Sequence, residues 1–257
     1  RLWRFIGVIV ALLASFLVLW RLSQRMIAQL ARRGDIGALE KTMFAVWTAL
    51  TIALLPIAAA WALIQIFKGF DLLTAFVEPL AAAFLEAVRI IALSVGMARA
   101  LFAPGRSELR LLPMHDAVAR RLNRLAVNFS LIFAMLVMIE AFNGVVTAPL
   151  DVSVAWRALL TTVAACLLAY SLFGASRLAG QLDAEFGPTV DARLYWYAIW
   201  RVVVWIAIFA ILLANLLGYI NFAHFIANQI LWVTFVLVAG FTLRTMAHEA
   251  VARLMRP

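Results

Sequence analysis

The sequence predicts an all-α polytopic membrane protein with seven transmembrane helices, arranged as sequential hairpins joined by amphipathic cytosolic links. Two observations support this prediction. Of the 257 residues, 66% are hydrophobic and only 14% are charged, and the mean hydropathy is +1.00, which excludes a soluble globular domain. In addition, seven apolar stretches are long enough to cross a bilayer core of about 30 Å as helices.

The seven predicted spans alternate with polar links along the chain. They lie at about 2–20, 43–67, 76–101, 125–142, 154–173, 196–217 and 226–243. The links after the second, fourth and sixth spans contain the turn-forming residues Gly, Pro, Asn and Asp, in the runs GFDLLTAFVEP, NGVVTAPLD and LGYINFAHF. Outgoing spans recur every 71 to 78 residues without a residue-level repeat. This spacing is typical of a stack of helical hairpins and gives no evidence of duplication.

The distribution of positive charge predicts the orientation. When the 22 Lys and Arg residues are sorted by side, seventeen follow the odd-numbered spans, four lie on the opposite side and Arg89 lies within a span. Positive residues concentrate on the cytosolic side, so we expect the N-terminus outside and the C-terminus inside. The net charge of +9 is explained by arginines that flank spans, and no nucleic-acid partner is predicted.

A long basic link, about 103–124, joins the third and fourth spans. Its second half is predicted to be an amphipathic helix in which Arg120, Arg121 and Arg124 lie within about 100° of arc and the apolar residues lie on the opposite side. Such a helix lies in the membrane interface. The three arginines are therefore candidates to bind anionic lipid head groups, at about 1 kcal/mol per charge, or they only enforce the topology.

Charged and helix-breaking residues within the spans are the other candidates. Glu86 and Arg89 lie three residues apart near the middle of the third span, where ionisable residues mark ion or proton paths. Because they can neutralise each other on one helix face, we expect a structural pair that faces another helix. Pro56 in the second span frees one backbone carbonyl and predicts a helix kink.

Other polar residues offer little chemistry. Glu140 lies near the external end of the fourth span. Asn128, Asn143 and Asn215 lie in or beside apolar stretches, where each could form a hydrogen bond between helices, although Asn143 with Gly144 more simply starts a turn. The chain has no Gly-rich phosphate loop, no nucleophile beside a base and no paired carboxylates. The three histidines are far apart, which argues against a metal site, and no cofactor is implied. We therefore do not expect an enzyme.

The run ALFAPGRSELRLLPMHDAVARRLNRL, Ala100 to Leu125, resembles a segment of large proteobacterial members of the small-conductance mechanosensitive channel (MscS-like) superfamily. The resemblance implies a tilted, lipid-facing paddle region in a homo-heptameric channel of a bacterial inner membrane that releases ions and small solutes on osmotic downshock. In that family the pore is formed by a later Gly/Ala-rich helix that precedes a cytosolic β-rich domain. Neither of these is in this chain, so no pore residues are transferred.

Two other functions remain open from the residues alone. A secondary transporter would place intramembrane charge and broken helices at its substrate site, for which Glu86, Arg89 and Pro56 are the only support. A structural or accessory subunit of a membrane complex would explain the shortage of polar residues within the spans. Because the chain begins at Arg1 without Met and ends in the basic run HEAVARLMRP, we expect it to be part of a longer protein.

Overall fold

The apolar runs of this chain fold as helices, the one local structure that satisfies every backbone polar group within its own segment. A computed structural model describes residues 38–103, 116–186 and 194–254, and seven single positions between residues 7 and 25. The regular structure within the three ranges is entirely helical and forms six helices. These are α1 (Ala38–Gly69), α2 (Val77–Phe102), α3 (Asp116–Val145), α4 (Leu150–Phe186), α5 (Leu194–Leu216) and α6 (Ile220–Leu254).

Three short turns of the same geometry join α1 to α2, α3 to α4 and α5 to α6. At the end of the first helix of each pair, Asp71, Thr147 and Gly218 adopt positive φ angles of 55°, 51° and 83°. The N–H of the next residue donates to the carbonyl five residues earlier, with N···O distances of 3.0, 2.9 and 2.8 Å. This arrangement satisfies the last carbonyls of the helix. The three predicted hairpin turns are thus present. In each of them, a residue in the left-handed backbone conformation reverses the chain direction.

Helices α3 to α6 share a hydrophobic core. Small side chains supply about half of this core, which lets the helix backbones approach closely, as is common in membrane bundles. The buried members are Phe129, Phe133, Ala164, Ala165, Leu168, Ile208, Ile211, Ala214, Ala223, Ala227 and Leu231. Helix α6 also packs against α1 and α2, so the last described helix returns to the first pair. The sequence predicted sequential hairpins and did not predict this contact.

Helices α1 and α2 approach each other closely at Gly96. A Cβ atom added to Gly96 would lie 2.8 Å from the carbonyl oxygen of Ala49 and 3.4 Å from the Cβ of Ala53. A neighbouring backbone atom cannot rotate away as a side chain can. This glycine therefore sets the distance between the two helices.

Within the described part of the chain, five helices are long and apolar enough to cross a membrane. This number fits a multi-pass membrane protein but does not confirm the predicted seven spans. The five helices are Lys41–Gly69, Val77–Phe102, Asp116–Val145, Leu150–Gly174 and Ile220–Thr245. The predicted span 2–20 lies outside the described residues except at single positions. The predicted span 196–217 coincides with α5, a helix of 23 residues from Leu194 to Leu216. The structure describes its side chains only from Arg201 onward, so this helix is not counted among the five.

The second half of the predicted link 103–124 belongs to helix α3. It runs without a break from Asp116 to Val145, so residues 116–124 continue directly into the predicted span 125–142. The first half of the link, 104–115, lies outside the described residues. The three arginines of the link therefore lie at the start of a helix of 30 residues.

Candidate functional site

A group of polar side chains in the described part of the chain joins three helices. Arg157 on α4 donates from Nε to Glu140 Oε1 of α3 at 2.7 Å and from Nη1 to Asn221 Oδ1 of α6 at 2.6 Å. The side chains of Arg157 and Glu140 are 29% and 33% exposed. We call these three residues the Glu140 cluster. Its charge-assisted hydrogen bonds are partly shielded from solvent, which strengthens them relative to a surface ion pair.

Chain reversal explains how these residues meet. Glu140 lies five residues before the end of α3, and Arg157 lies seven residues after the start of α4. Because a helix rises about 1.5 Å per residue, both side chains lie at a similar distance from the tight turn that joins the two helices. They therefore lie side by side on the antiparallel helices. Asn221 lies in the first turn of α6, directly after the corresponding turn between α5 and α6. The cluster thus marks one end of the α3–α6 group, which we call the Glu140 end.

A second set of hydrogen bonds lies close to the cluster. Asn215 on α5 donates from Nδ2 to Thr161 Oγ1 at 3.0 Å and to Thr162 Oγ1 at 2.9 Å, which confirms the predicted inter-helix role of Asn215. Thr161 in turn donates to the backbone carbonyl of Arg157 at 2.8 Å. All four helices of the group are therefore connected by polar contacts at the Glu140 end.

Two further polar side chains near this end are only partly satisfied. His224 stacks on Phe133 with ring centroids 6.2 Å apart, and its Nδ1 is buried without a partner in the described part of the chain. Asn143 is buried, its carbonyl accepts from Ala148 N–H at 2.9 Å in the turn, and its Nδ2 has no described partner. The turn role proposed for Asn143 is thus observed. No group of three or more metal-binding side chains occurs among the described residues.

The structure brings Glu86 and Arg89 together on α2. Arg89 Nη1 lies 3.2 Å from Glu86 Oε2, and the side chains are 48% and 45% exposed. The expected self-neutralising pair is therefore present. Because nearly half of each side chain is exposed, the described helices leave the pair partly uncovered, and the expectation that it faces another helix stays a prediction. A pair that is neutral within its own helix does not need a second helix to compensate it.

Pro56 lies within α1, which continues through it from Ala38 to Gly69. The ring removes one N–H from the helix ladder and leaves the carbonyl of Ile52 without its usual donor. Pro56 is half-buried and lies apart from the Glu140 cluster on α3, α4 and α6. The kink expected at Pro56 stays a prediction.

The three arginines of the link differ in their surroundings. Arg120 and Arg124 are exposed, whereas Arg121 is half-buried. Arg121 Nη2 donates to the carbonyl of Tyr170 on α4 at 3.4 Å, and its guanidinium lies 5.2 Å from the centroid of the Tyr170 ring. The same guanidinium occupies the space that a Cβ at Gly174 would fill. Arg121 therefore contacts α4, and only Arg120 and Arg124 remain exposed as expected for lipid contacts.

Sequence reasoning missed the Glu140 cluster as a unit. In the sequence, Arg157 is one of the four positive residues on the outer side, and Asn221 lies in the turn-forming run LGYINFAHF. The sequence does contain one signal for their contact: Glu140 and Arg157 lie at similar distances from the turn that separates them. The sequence also contains a signal for the contact of Arg121. Position 174 is a glycine, and glycine is the one residue type that leaves room beside a helix for a guanidinium group.

Comparison with known proteins finds no matching family model, no matching curated protein and no matching solved structure. The resemblance of residues 100–125 to the MscS-like superfamily therefore stays a prediction. Function has to be inferred from the geometry of the helices and their polar contacts.

Proposed function

We propose that this chain is the tension-sensing transmembrane region of a mechanosensitive channel of the MscS-like type, assembled as a homo-oligomer. One observation supports this proposal most directly. The buried polar side chains of the described helices are hydroxyls and one amide, and none is charged, while large apolar residues on every helix are exposed. Such a group of helices offers the lipid a wide apolar surface and has no charged interior path for a solute.

Tension acts on helices of this kind through their lateral area. A state that occupies more area in the bilayer is favoured when tension rises, and the equilibrium shifts by the resulting free-energy difference. Close helix contacts at small residues, as at Gly96, let neighbouring helices change their tilt without separating interlocked side chains. The channel pore, formed elsewhere in a heptamer, would then respond to the position of these helices.

The shared position of the basic residues supports the proposed N-out, C-in orientation in a bacterial inner membrane. In the antiparallel order of α3 to α6, six arginines lie toward the end opposite the Glu140 end: Arg120, Arg121, Arg124, Arg177, Arg201 and Arg244. We call this the Arg121 end. In intact cells, Ser107→Cys should react with a membrane-impermeant thiol reagent only from the cytosol, and Thr147→Cys only from outside. Labelling with the opposite sidedness would overturn the orientation.

Patch recording tests the tension-sensing role. The whole gene that encodes this chain is expressed in cells that lack their own mechanosensitive channels, and the currents are recorded under stepped suction. We expect tension-activated currents whose threshold shifts when Arg120, Arg121 and Arg124 are changed to Gln, with an unchanged conductance. Lys68→Gln, at the turn between α1 and α2, is the matched control and should leave the threshold unchanged. Absence of tension-activated current would refute the proposal, and an altered conductance would place this region in the pore.

The Glu140 cluster favours one alternative, a secondary transporter. Transporters build substrate sites from intramembrane polar groups, and this cluster is the strongest such group in the described chain. It lies near the ends of the helices, however, and its charges already neutralise each other. If the double substitution Glu140→Gln and Arg157→Gln abolished a solute flux in folded protein, the transporter hypothesis would replace the tension-sensor proposal. A folded protein with neither flux nor tension response would favour an accessory subunit.

A further inference from the structure

An open cavity lies between α4 and α5 at the Arg121 end. Its volume is about 610 Å³, and its walls include Phe173 and Ser176 from α4 and Arg201, Trp205, Ile206 and Phe209 from α5. One side of each helix therefore faces a groove that no other described helix fills.

The wall of this groove is apolar along most of its length. Ile206 and Phe209 are 63% and 67% exposed, and Phe173 is 49% exposed. Trp205, Ile206 and Phe209 recur at the spacing of one face of a helix. From Arg201 to Phe209 the helix rises about 12 Å, which approaches the roughly 15 Å of hydrocarbon in one leaflet. The groove has the length and the character that suit an acyl chain.

The end of the groove is cationic. Arg201 is exposed, and no carboxylate among the described side chains pairs with it. Ser176 supplies a hydroxyl beside it, and the guanidinium of Arg177 is held 4.2 Å from the ring centroid of Phe173, which places a second cation near the same end. Arginine recognises phosphate with paired hydrogen bonds. A ligand that complements both parts of the groove carries an apolar chain and a negative head group.

We propose that this groove binds an anionic phospholipid, with its phosphate at Arg201 and one acyl chain along Trp205, Ile206 and Phe209. The site is separate from Arg120 and Arg124. It does not depend on the tension-sensing role, since binding is measured without gating.

The fluorescence of Trp205 provides the test. The purified chain is reconstituted into phosphatidylcholine vesicles that contain a small fraction of brominated phosphatidylglycerol, or the same fraction of brominated phosphatidylcholine. The chain has nine tryptophans, so the emission of the Trp205→Phe variant is subtracted to isolate Trp205. We expect phosphatidylglycerol to be enriched about fivefold at Trp205 over its bulk fraction, as one nearby cationic contact implies.

Matched variants assign this enrichment to the groove. Arg201→Gln should abolish the preference for phosphatidylglycerol, and Arg201→Lys should retain most of it. Arg244→Gln removes an exposed arginine of α6 at the same end and should change nothing, while circular dichroism confirms that each variant is folded. Equal quenching by both brominated lipids in the unmodified chain would overturn the proposal, as would a preference that survives Arg201→Gln. Trp205 that is quenched by neither lipid would mean that another copy of the chain covers the groove.

Discussion

Replacing Arg157 by Met tests whether the Glu140 cluster stabilises the contact among α3, α4 and α6. The substitution keeps most of the aliphatic stem and removes the two hydrogen bonds at 2.7 and 2.6 Å. Fully buried pairs cost about 3–5 kcal/mol when one partner is removed, and exposed pairs contribute about 0–1 kcal/mol. Because both charged side chains are about one-third exposed, we expect a loss of about 2 kcal/mol in the free energy of unfolding.

The free energy of unfolding is measured by titration with SDS in mixed micelles, followed by circular dichroism. Lys68→Met is the matched control, since it breaks an ion pair of 3.0 Å whose partners are 48% and 60% exposed, and it should cost less than about 1 kcal/mol. In a double-mutant cycle with Glu140→Gln, the coupling with Arg157→Met should be about 1–2 kcal/mol. If Arg157→Met costs no more than Lys68→Met, the cluster does not hold the helices together and the reasoning is refuted.

Three further substitutions test the fold. Gly96→Ala should destabilise the protein by about 1–3 kcal/mol because its new methyl group meets the backbone of α1. The control Gly240→Ala, with open space around it, should be neutral or stabilise the protein by up to about 1 kcal/mol. Equal effects of the two substitutions in SDS titration would contradict the close approach of α1 and α2. Thr147→Gly should stabilise by about 1 kcal/mol, since a β-branched residue is strained at positive φ; a loss of stability would count against the turn geometry. Glu86→Gln should reduce the amount of folded protein in the membrane by leaving Arg89 uncompensated, and adding Arg89→Met should restore it; no recovery in the double variant would give the pair another role.

The hairpin architecture was predictable because it depends on local signals. Apolar runs of helical length define the spans, and turn-forming residues interrupt them at regular intervals, so each of the six predicted spans from 43–67 onward coincides with one of the helices α1 to α6. The length of a helix beyond its apolar run is harder to predict. Helix α4 extends to Phe186, well past the predicted boundary at residue 173, because polar residues with good helix propensity do not stop a helix.

Contacts between distant helices were not predictable from the same signals. Arg157 and Asn221 are 64 residues apart, and their contact requires α6 to lie beside α4, which no local pattern specifies. The packing of α6 on α1 and α2 is likewise a property of the assembled helices. A single sequence contains the turns that reverse the chain but not the order in which the resulting hairpins surround one another.

The position of Arg121 changes how the basic residues of α3 would act in a tension sensor. A helical wheel groups Arg121 with Arg120 and Arg124, but the wheel does not show that α4 lies beside Arg121 and that Gly174 leaves space for its guanidinium. An arginine held by a neighbouring helix resists the separation of α3 from α4, whereas an exposed arginine follows the lipid surface. The two kinds of contact therefore have separable effects: Arg121→Gln alone should shift the opening threshold equally in bilayers with and without anionic lipid, and the shift caused by Arg120→Gln with Arg124→Gln should vanish when anionic lipid is absent.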